Sequence, residues 1–354
     1  MTITRLKFLV FALIAVLAVV IVMVAGALAA DLYMHHRAER SAGLNRWGYR
    51  GPVVGRKQPG EVRVAMLGGS TAFGYGVRWD EAIPRLLETE LRARHPHTHW
   101  TGLNLGYNTE GAWAFLPNLE DFSNLDFDIV ILYEGYNDLL GDKAPNQVVV
   151  RRRSPIFRAT GYFPILPLVF REKALAMRAG GDVAAGYAML QEGAPRTVFR
   201  PGIATRTSAT ALDAAAAIAE SLGRQFDGVG ANDAAPSSRP GDLGCASPWV
   251  TYCESVSRAI RLALAHGRRV VVATQPTLVD PRMRPRHQSQ QHALAEMLAR
   301  TFANEDRVAY VDLSGAVDLT DSDLAFDRMH LGTDGNRVIA KALTETVARL
   351  APQR

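Results

Sequence analysis

Three short stretches of this chain carry the residue types of nucleophilic acyl chemistry. The first is VAMLGGSTAFGYGV, Val64 to Val77, where an apolar run stops at Gly68 and Gly69 and Ser70 follows at once. The second is YEGYNDLL, which places Asn137 shortly after Gly135. The third is FDRMHLGTDGN, in which Asp327 precedes His330 on what reads as a turn before the last helix. A serine hydroxyl is a weak nucleophile until a base takes its proton, and the base needs a third group to fix its tautomer. Asp-x-x-His on a turn can bring a carboxylate to an imidazole. His330 is therefore the candidate base for Ser70, and Asp327 its orienting partner. Negative charge then builds on the substrate carbonyl oxygen and needs N–H donors. The Asn137 side chain and the Ser70 amide are candidates, and NLGYNTEGAW offers a further small-residue turn.

Other uses of a glycine–serine turn fit less well. Gly69 and Gly74 have the spacing of a phosphate-binding P-loop, but Tyr75 and Gly76 stand where Lys and Ser or Thr belong. Gly74 and Gly76 lack the third glycine of a dinucleotide fingerprint, because Trp79 occupies that place. Ala72 breaks the GxSxG nucleophile elbow. The plain alternative is a helix N-cap serine.

These groups must be held by a scaffold. Five apolar runs read as strands: Val62–Leu67, Trp100–Gly106, Phe127–Gly135, Arg268–Pro276 and Val308–Ser314. They are continuous rather than alternating, as in parallel strands buried on both faces. Helical patterns separate them. One starts at a candidate cap, Asp80, with Ile83, Leu86, Leu87 and Leu91 on one face; others cover Trp249 to Gly267, a stretch from His292, and Thr333 to Leu350. Alternating strands and helices predict a three-layer α/β fold with a five-stranded parallel sheet. In such sheets functional groups gather past the carboxyl ends of the strands, where Ser70 and Asn137 lie. Asp138 reads as structural, bonding nearby backbone. His95, His97 and His99 alternate on one strand face and read as solvated rather than metal-binding. Gln275 to Gln291 reads as a loop near the site mouth, where His287 or an arginine contacts substrate or merely leads into a helix.

At this point a family resemblance is specific. GGST, NLGYNTEG, GYND and DRMH occur in the order of the four signature blocks of the SGNH (GDSL-like) hydrolases, spread from Met66 to His330. The resemblance implies a flavodoxin-like sheet and a serine esterase or acyl-transfer site. It assigns Ser70 as nucleophile, His330 as base, Asp327 as its partner and Asn137 as an oxyanion donor. Counting from Asn104, the block II oxyanion amide falls on Thr109, with Gly106 and Gly111 on either side. The chain departs from the pattern at Gly69, where the family usually has Asp.

The N-terminus bears on compartment. Phe8 to Ala30 carries no charge. At 1.5 Å per residue a helix of that length can cross a hydrocarbon core of roughly 30 Å. Arg5 and Lys7 before it favour a cytoplasmic N-terminus with the remainder outside. A cleaved signal peptide is the alternative, although its apolar region usually runs only about 7–15 residues. The expected organisation is an anchor at 1–30, a connector at 31–60 with little core, and a hydrolase-like domain at 61–354. An inserted cap is expected at about 141–247, with an alanine-rich helix near Thr210–Leu222 and an aromatic stretch, Phe157 to Arg171, packed or lying on a membrane surface. Cys245 and Cys253 make one local disulfide or two free thiols.

With 21% charged residues and a net charge of +5, the chain shows no nucleic-acid motif, and no such partner is expected. The proposed chemistry requires no metal or organic cofactor. The expectation is an extracytoplasmic, membrane-anchored esterase acting on an O-acyl ester, with an O-acetyl carbohydrate or a lipid as substrate. The alternatives are an acyltransferase using the same site and a catalytically inactive envelope binding protein.

Overall fold

The computed structural model describes residues 3–41, 43–108, 110–139, 141, 152, 154–178 and 245–352. The expected alanine-rich helix near Thr210–Leu222 and most of the expected cap lie outside the described residues. Two compact units are present, one from Met1–Arg40 with Arg153–Ala231 and one from Ser41–Arg152 with Asn232–Arg354.

The second unit is built on five strands: β1 (Glu61–Leu67), β2 (His99–Asn104), β3 (Ile129–Tyr133), β4 (Arg269–Ala273) and β5 (Val308–Val311). They form one sheet in the order β2-β1-β3-β4-β5, parallel throughout. Every residue of β1 and β3 is buried, which explains the unbroken apolar runs. Each fully buried Val, Leu or Ile of these strands contributes roughly 1.5–3 kcal/mol. The short helix α2 (Ser70–Phe73) follows β1, α3 (Ile83–Arg94) leads to β2, and α4 (Phe115–Asp121) precedes β3. Past the insertion come α7 (Val250–Ala265), α8 (Arg284–Thr301) and α9 (Thr333–Arg349). Helix α9 packs on α3, whereas α4 and α8 pack on α7.

Three local readings change. Helix α3 starts at Ile83 rather than at an Asp80 cap. Pro84 lacks an N–H and is tolerated only in a first turn, so it sets the boundary. Asp80 instead pairs with Arg78 at 3.0 Å. Helix α8 begins at Arg284, inside the stretch read as a loop, and its inner face includes His287, Gln290 and Gln291. Residues 43–60 are not a coreless connector: Leu44 and Tyr49 are buried, and Arg50 bridges to Asn104 of β2.

The first unit contains α1 (Ile3–Ser41), α5 (Pro155–Thr160) and α6 (Leu166–Arg178). One stretch of α1, Val10–Arg40, is long and apolar enough to cross a membrane. Asp31, at the polar end of that stretch, is buried. Its Oδ1 accepts the Ile165 and Leu166 N–H groups at 2.9 and 2.8 Å, and its Oδ2 accepts the Tyr162 hydroxyl. It therefore satisfies donors at the start of α6, the task usually given to an N-cap residue close in sequence. Phe157 and Phe163 are buried and pack edge to face, so this aromatic stretch has a packed core of its own.

Candidate active site

The strand order reverses direction of travel at β1 and β3: the chain steps from β1 outward to β2 and then back across to β3. A crevice opens past the carboxyl ends of the strands at such a point, and both adjoining turns carry candidate residues. Ser70 is the first residue of α2, immediately beyond β1. Asn137 lies in a short 3-10 turn, Tyr136–Asp138, just beyond β3. Asp327 and His330 come from the loop before α9.

These positions, distant in sequence, meet. Ser70 Oγ lies 2.8 Å from His330 Nε2, and His330 Nδ1 lies 2.6 Å from Asp327 Oδ2. A carboxylate only accepts, so Nδ1 carries the proton and Nε2 is left to accept the serine hydroxyl. The other oxygen, Asp327 Oδ1, accepts the backbone N–H groups of His330 at 2.6 Å and Met329 at 3.0 Å. Partial burial by itself would raise the Asp327 pKa, but these N–H groups and the imidazole hold the carboxyl below its usual range. The loop is thus folded around the carboxylate that orients the His330 imidazole.

Asn137 is exposed on the site side, and one Nδ2 hydrogen is given to the Glu110 carbonyl at 3.0 Å. This amide also hydrogen-bonds the Glu134 carboxylate, so Asn137 is held between the Glu110 carbonyl and Glu134. The same amide lies over Gly69: a Cβ there would run into Asn137 Nδ2 and come within 2.5 Å of Glu134 Oε2 and 2.7 Å of the Glu110 carbonyl. Gly69 is required by this close approach. Gly106 is buried near α2, and its N–H donates to Asn104 Oδ1 at 3.1 Å. Thr109 lies outside the described residues.

One residue was missed in the sequence. Glu134, the residue after β3, is buried, and its carboxylate gathers three backbone N–H groups: Gly69 at 2.5 Å, Gly135 at 3.0 Å and Asn137 at 3.0 Å. It thereby ties the turn holding the serine to the turn holding the asparagine. Burial drives its pKa up to about 7, and the N–H groups only partly oppose this. A readable signal existed: an acid follows directly on the apolar run Ile129–Tyr133 and precedes the GYND block.

The remaining candidates are scaffold. Asp138 Oδ2 accepts the Ala112 N–H at 2.8 Å, and burial plus neighbouring Glu134 push its pKa well up. His287 is buried, its pKa lowered to about 4 by desolvation, with Nδ1 accepting the Leu278 N–H at 3.2 Å. Gln275 links Thr71 to the Tyr136 N–H, and Gln290 donates to the Gly135 carbonyl at 3.0 Å. Gln275, His287 and Gln290 therefore buttress the β3 turn from behind instead of lining the mouth. Cys245 and Cys253 form a disulfide.

No family model and no curated protein matches this chain. Solved structures do. A GDSL-family lipolytic protein from Desulfitobacterium hafniense aligns over 80% of this chain and 98% of its own, at 9% identity and a TM-score of 0.40. An acetyl xylan esterase from Geobacillus stearothermophilus aligns over 83% and 97%, at 10% identity and 0.42. A family 3 carbohydrate esterase from Clostridium thermocellum aligns over 82% and 97%, at 12% identity and 0.43.

Proposed function

We propose that this chain is a membrane-anchored serine esterase of the SGNH hydrolase type. The observation that carries the reading is the continuous relay from Ser70 Oγ through His330 to Asp327, at 2.8 and 2.6 Å. Ser70 Oγ attacks the ester carbonyl carbon as His330 Nε2 takes its proton. Asn137 Nδ2 and the Ser70 amide stabilise the oxyanion. The ester C–O bond breaks, and the alcohol leaves with the proton from His330. Water, activated by the same imidazole, then releases the acid and restores Ser70.

The anchor reading rests on the apolar stretch of α1 with Arg5 and Lys7 before it. The Cys245–Cys253 disulfide supports placement of the catalytic unit outside the cytoplasm, because such bonds persist in oxidising compartments.

The test is labelling of the detergent-solubilised full chain with a fluorophosphonate, followed by peptide mapping. Label is expected on Ser70, lost in Ser70→Ala and slowed by at least 10³-fold in His330→Ala, in line with the cost of removing a member of such a triad. Labelling of Ser70 that proceeds equally fast without His330 would overturn the relay. A folded chain that takes no label would point to a binding protein instead.

A further inference from the structure

Among the described residues of the catalytic unit, the exposed large hydrophobic side chains are Trp47, Val53, Tyr75, Tyr310 and Phe326. The two most exposed, Tyr75 at 44% and Phe326 at 50%, both lie against His330. The Tyr75 ring centroid is 4.9 Å from that of His330, and Phe326 stacks on the imidazole at 5.9 Å with 15° between planes. The two rings are 6.4 Å apart and inclined by 37°. They make an open apolar wall on one side of the base.

The wall is held by the same backbone that holds the chemistry. The Tyr75 N–H donates to the Ser70 carbonyl at 2.9 Å, and the Phe326 N–H to the His330 carbonyl at 3.2 Å. Arg50 clamps the turn on both sides of Tyr75 through the carbonyls of Phe73, Gly74 and Val77. Gly76 stands at φ +84°, and a Cβ there would strike the Phe326 ring, so this glycine both permits the turn and leaves the ring its place.

The position of the wall decides which part of a substrate meets it. On the esterase reading, His330 hands its proton to the departing alcohol oxygen, so the alcohol lies beside His330 and the carbonyl oxygen toward Asn137. We infer that Tyr75 and Phe326 form a subsite for the alcohol portion of the ester, and that this alcohol is a pyranose sugar. This inference rests on the esterase reading above. A pyranose presents a flat face of C–H groups to a ring while its hydroxyls stay in water. The surroundings suit it, because Arg328 and Asp323 nearby in the same loop are exposed. A lipid chain gains most from enclosure, and these rings are open to solvent.

The experiment compares three esters with the detergent-solubilised full chain: a mono-O-acetylated methyl glucopyranoside, vinyl acetate and vinyl decanoate. The quantity read is the ratio of kcat/KM for the sugar acetate to that for vinyl acetate. The ratio is expected to fall at least 5-fold in Phe326→Ala and in Tyr75→Ala. It should fall similarly in Phe326→Leu, which keeps bulk but removes the flat ring, and should be restored in Phe326→Tyr. Parallel losses on both acetates would mean that the rings only support His330 and would overturn the subsite. A selective loss on vinyl decanoate would assign the wall to an acyl chain and would overturn the sugar. Wild-type protein whose Ser70 takes no fluorophosphonate would remove the esterase reading itself; labelling with an unchanged ratio removes only the subsite.

Discussion

Two buried glutamates sit at opposite ends of the central strand pair, and the protein treats them differently. Glu61 opens β1, away from the site. Its Oε1 and Oε2 receive Arg63 Nε and Nη2 at 2.8 and 3.1 Å, Thr101 donates at 2.7 Å and the Gln58 N–H at 2.7 Å. Burial alone would raise its pKa, but this set outweighs burial and lowers it to about 2. Glu134 follows β3, at the site. Its bonds come from three backbone N–H groups and the Asn137 side chain, all neutral, and Asp138 stands nearby, so burial wins and the pKa rises to about 7. A buried charge given a full set of partners fastens a fold. One given only neutral donors titrates near neutrality, where its charge state can change, and here that residue joins the turns that carry Ser70 and Asn137.

The largest effect should come from breaking the satisfied end. Arg63 also donates to the Leu125 and Gly55 carbonyls, each at 2.8 Å. Arg63→Ala strands a buried carboxylate and two carbonyls. It is expected to cost about 3–5 kcal/mol, the usual penalty for removing one partner of a buried pair. Tryptophan fluorescence in urea reads this directly, since all five tryptophans lie in the second unit, with the sheet. Adding Glu61→Gln should recover part of the loss. A single variant that unfolds at the wild-type urea concentration would show that Glu61 is already neutral.

At the other end, Gly69→Ala should act on chemistry as well as on stability. The new methyl collides with Asn137 Nδ2 and crowds Glu134 Oε2. Both turns must shift, and displacement of about 1 Å at reacting groups can cost about 10²-fold in rate. The fluorophosphonate labelling rate of Ser70 should fall by about that factor, and the urea midpoint should fall too, because the Glu110 carbonyl and the buried Glu134 carboxylate must give way. Unchanged labelling would mean that the contact between Gly69 and the β3 turn does not set the serine.

The contrast also explains what could be read without a structure. All five strands were legible, because strands buried on both faces leave continuous apolar runs. The meeting of Ser70, Asp327 and His330 was legible, because the chemistry proposed for them needs particular side chains at turns. Helix α8 was legible only from His292 on: its first turns bury His287, Gln290 and Gln291, so apolar periodicity is silent there. Tyr49 and Arg50 were hidden in a glycine-containing stretch with no pattern. Glu134 was hidden for a different reason. It acts through main-chain N–H groups, which every residue but proline has, and so leaves no partner motif in the sequence.

The finest test of the contrast uses pH, where the two acids should act with opposite sign. The folded pKa of Glu61, about 2, lies below its ordinary 4.5. The unfolded chain therefore binds more protons between those values, and the Glu61 contribution is full above 4.5 and lost as pH falls toward 2. The folded pKa of Glu134, about 7, lies above 4.5. Here the folded chain binds more protons, so its contribution is full below 4.5 and is lost as pH rises through 7. Urea unfolding from pH 5 to 8 should show the wild-type advantage over Glu134→Gln shrinking with rising pH. The advantage over Glu61→Gln should stay level across the same range, because Glu61 is ionised in both states there. A level difference for Glu134→Gln would mean that three N–H groups satisfy Glu134 as fully as Arg63 satisfies Glu61, and the two ends of the sheet would then differ in partners but not in charge.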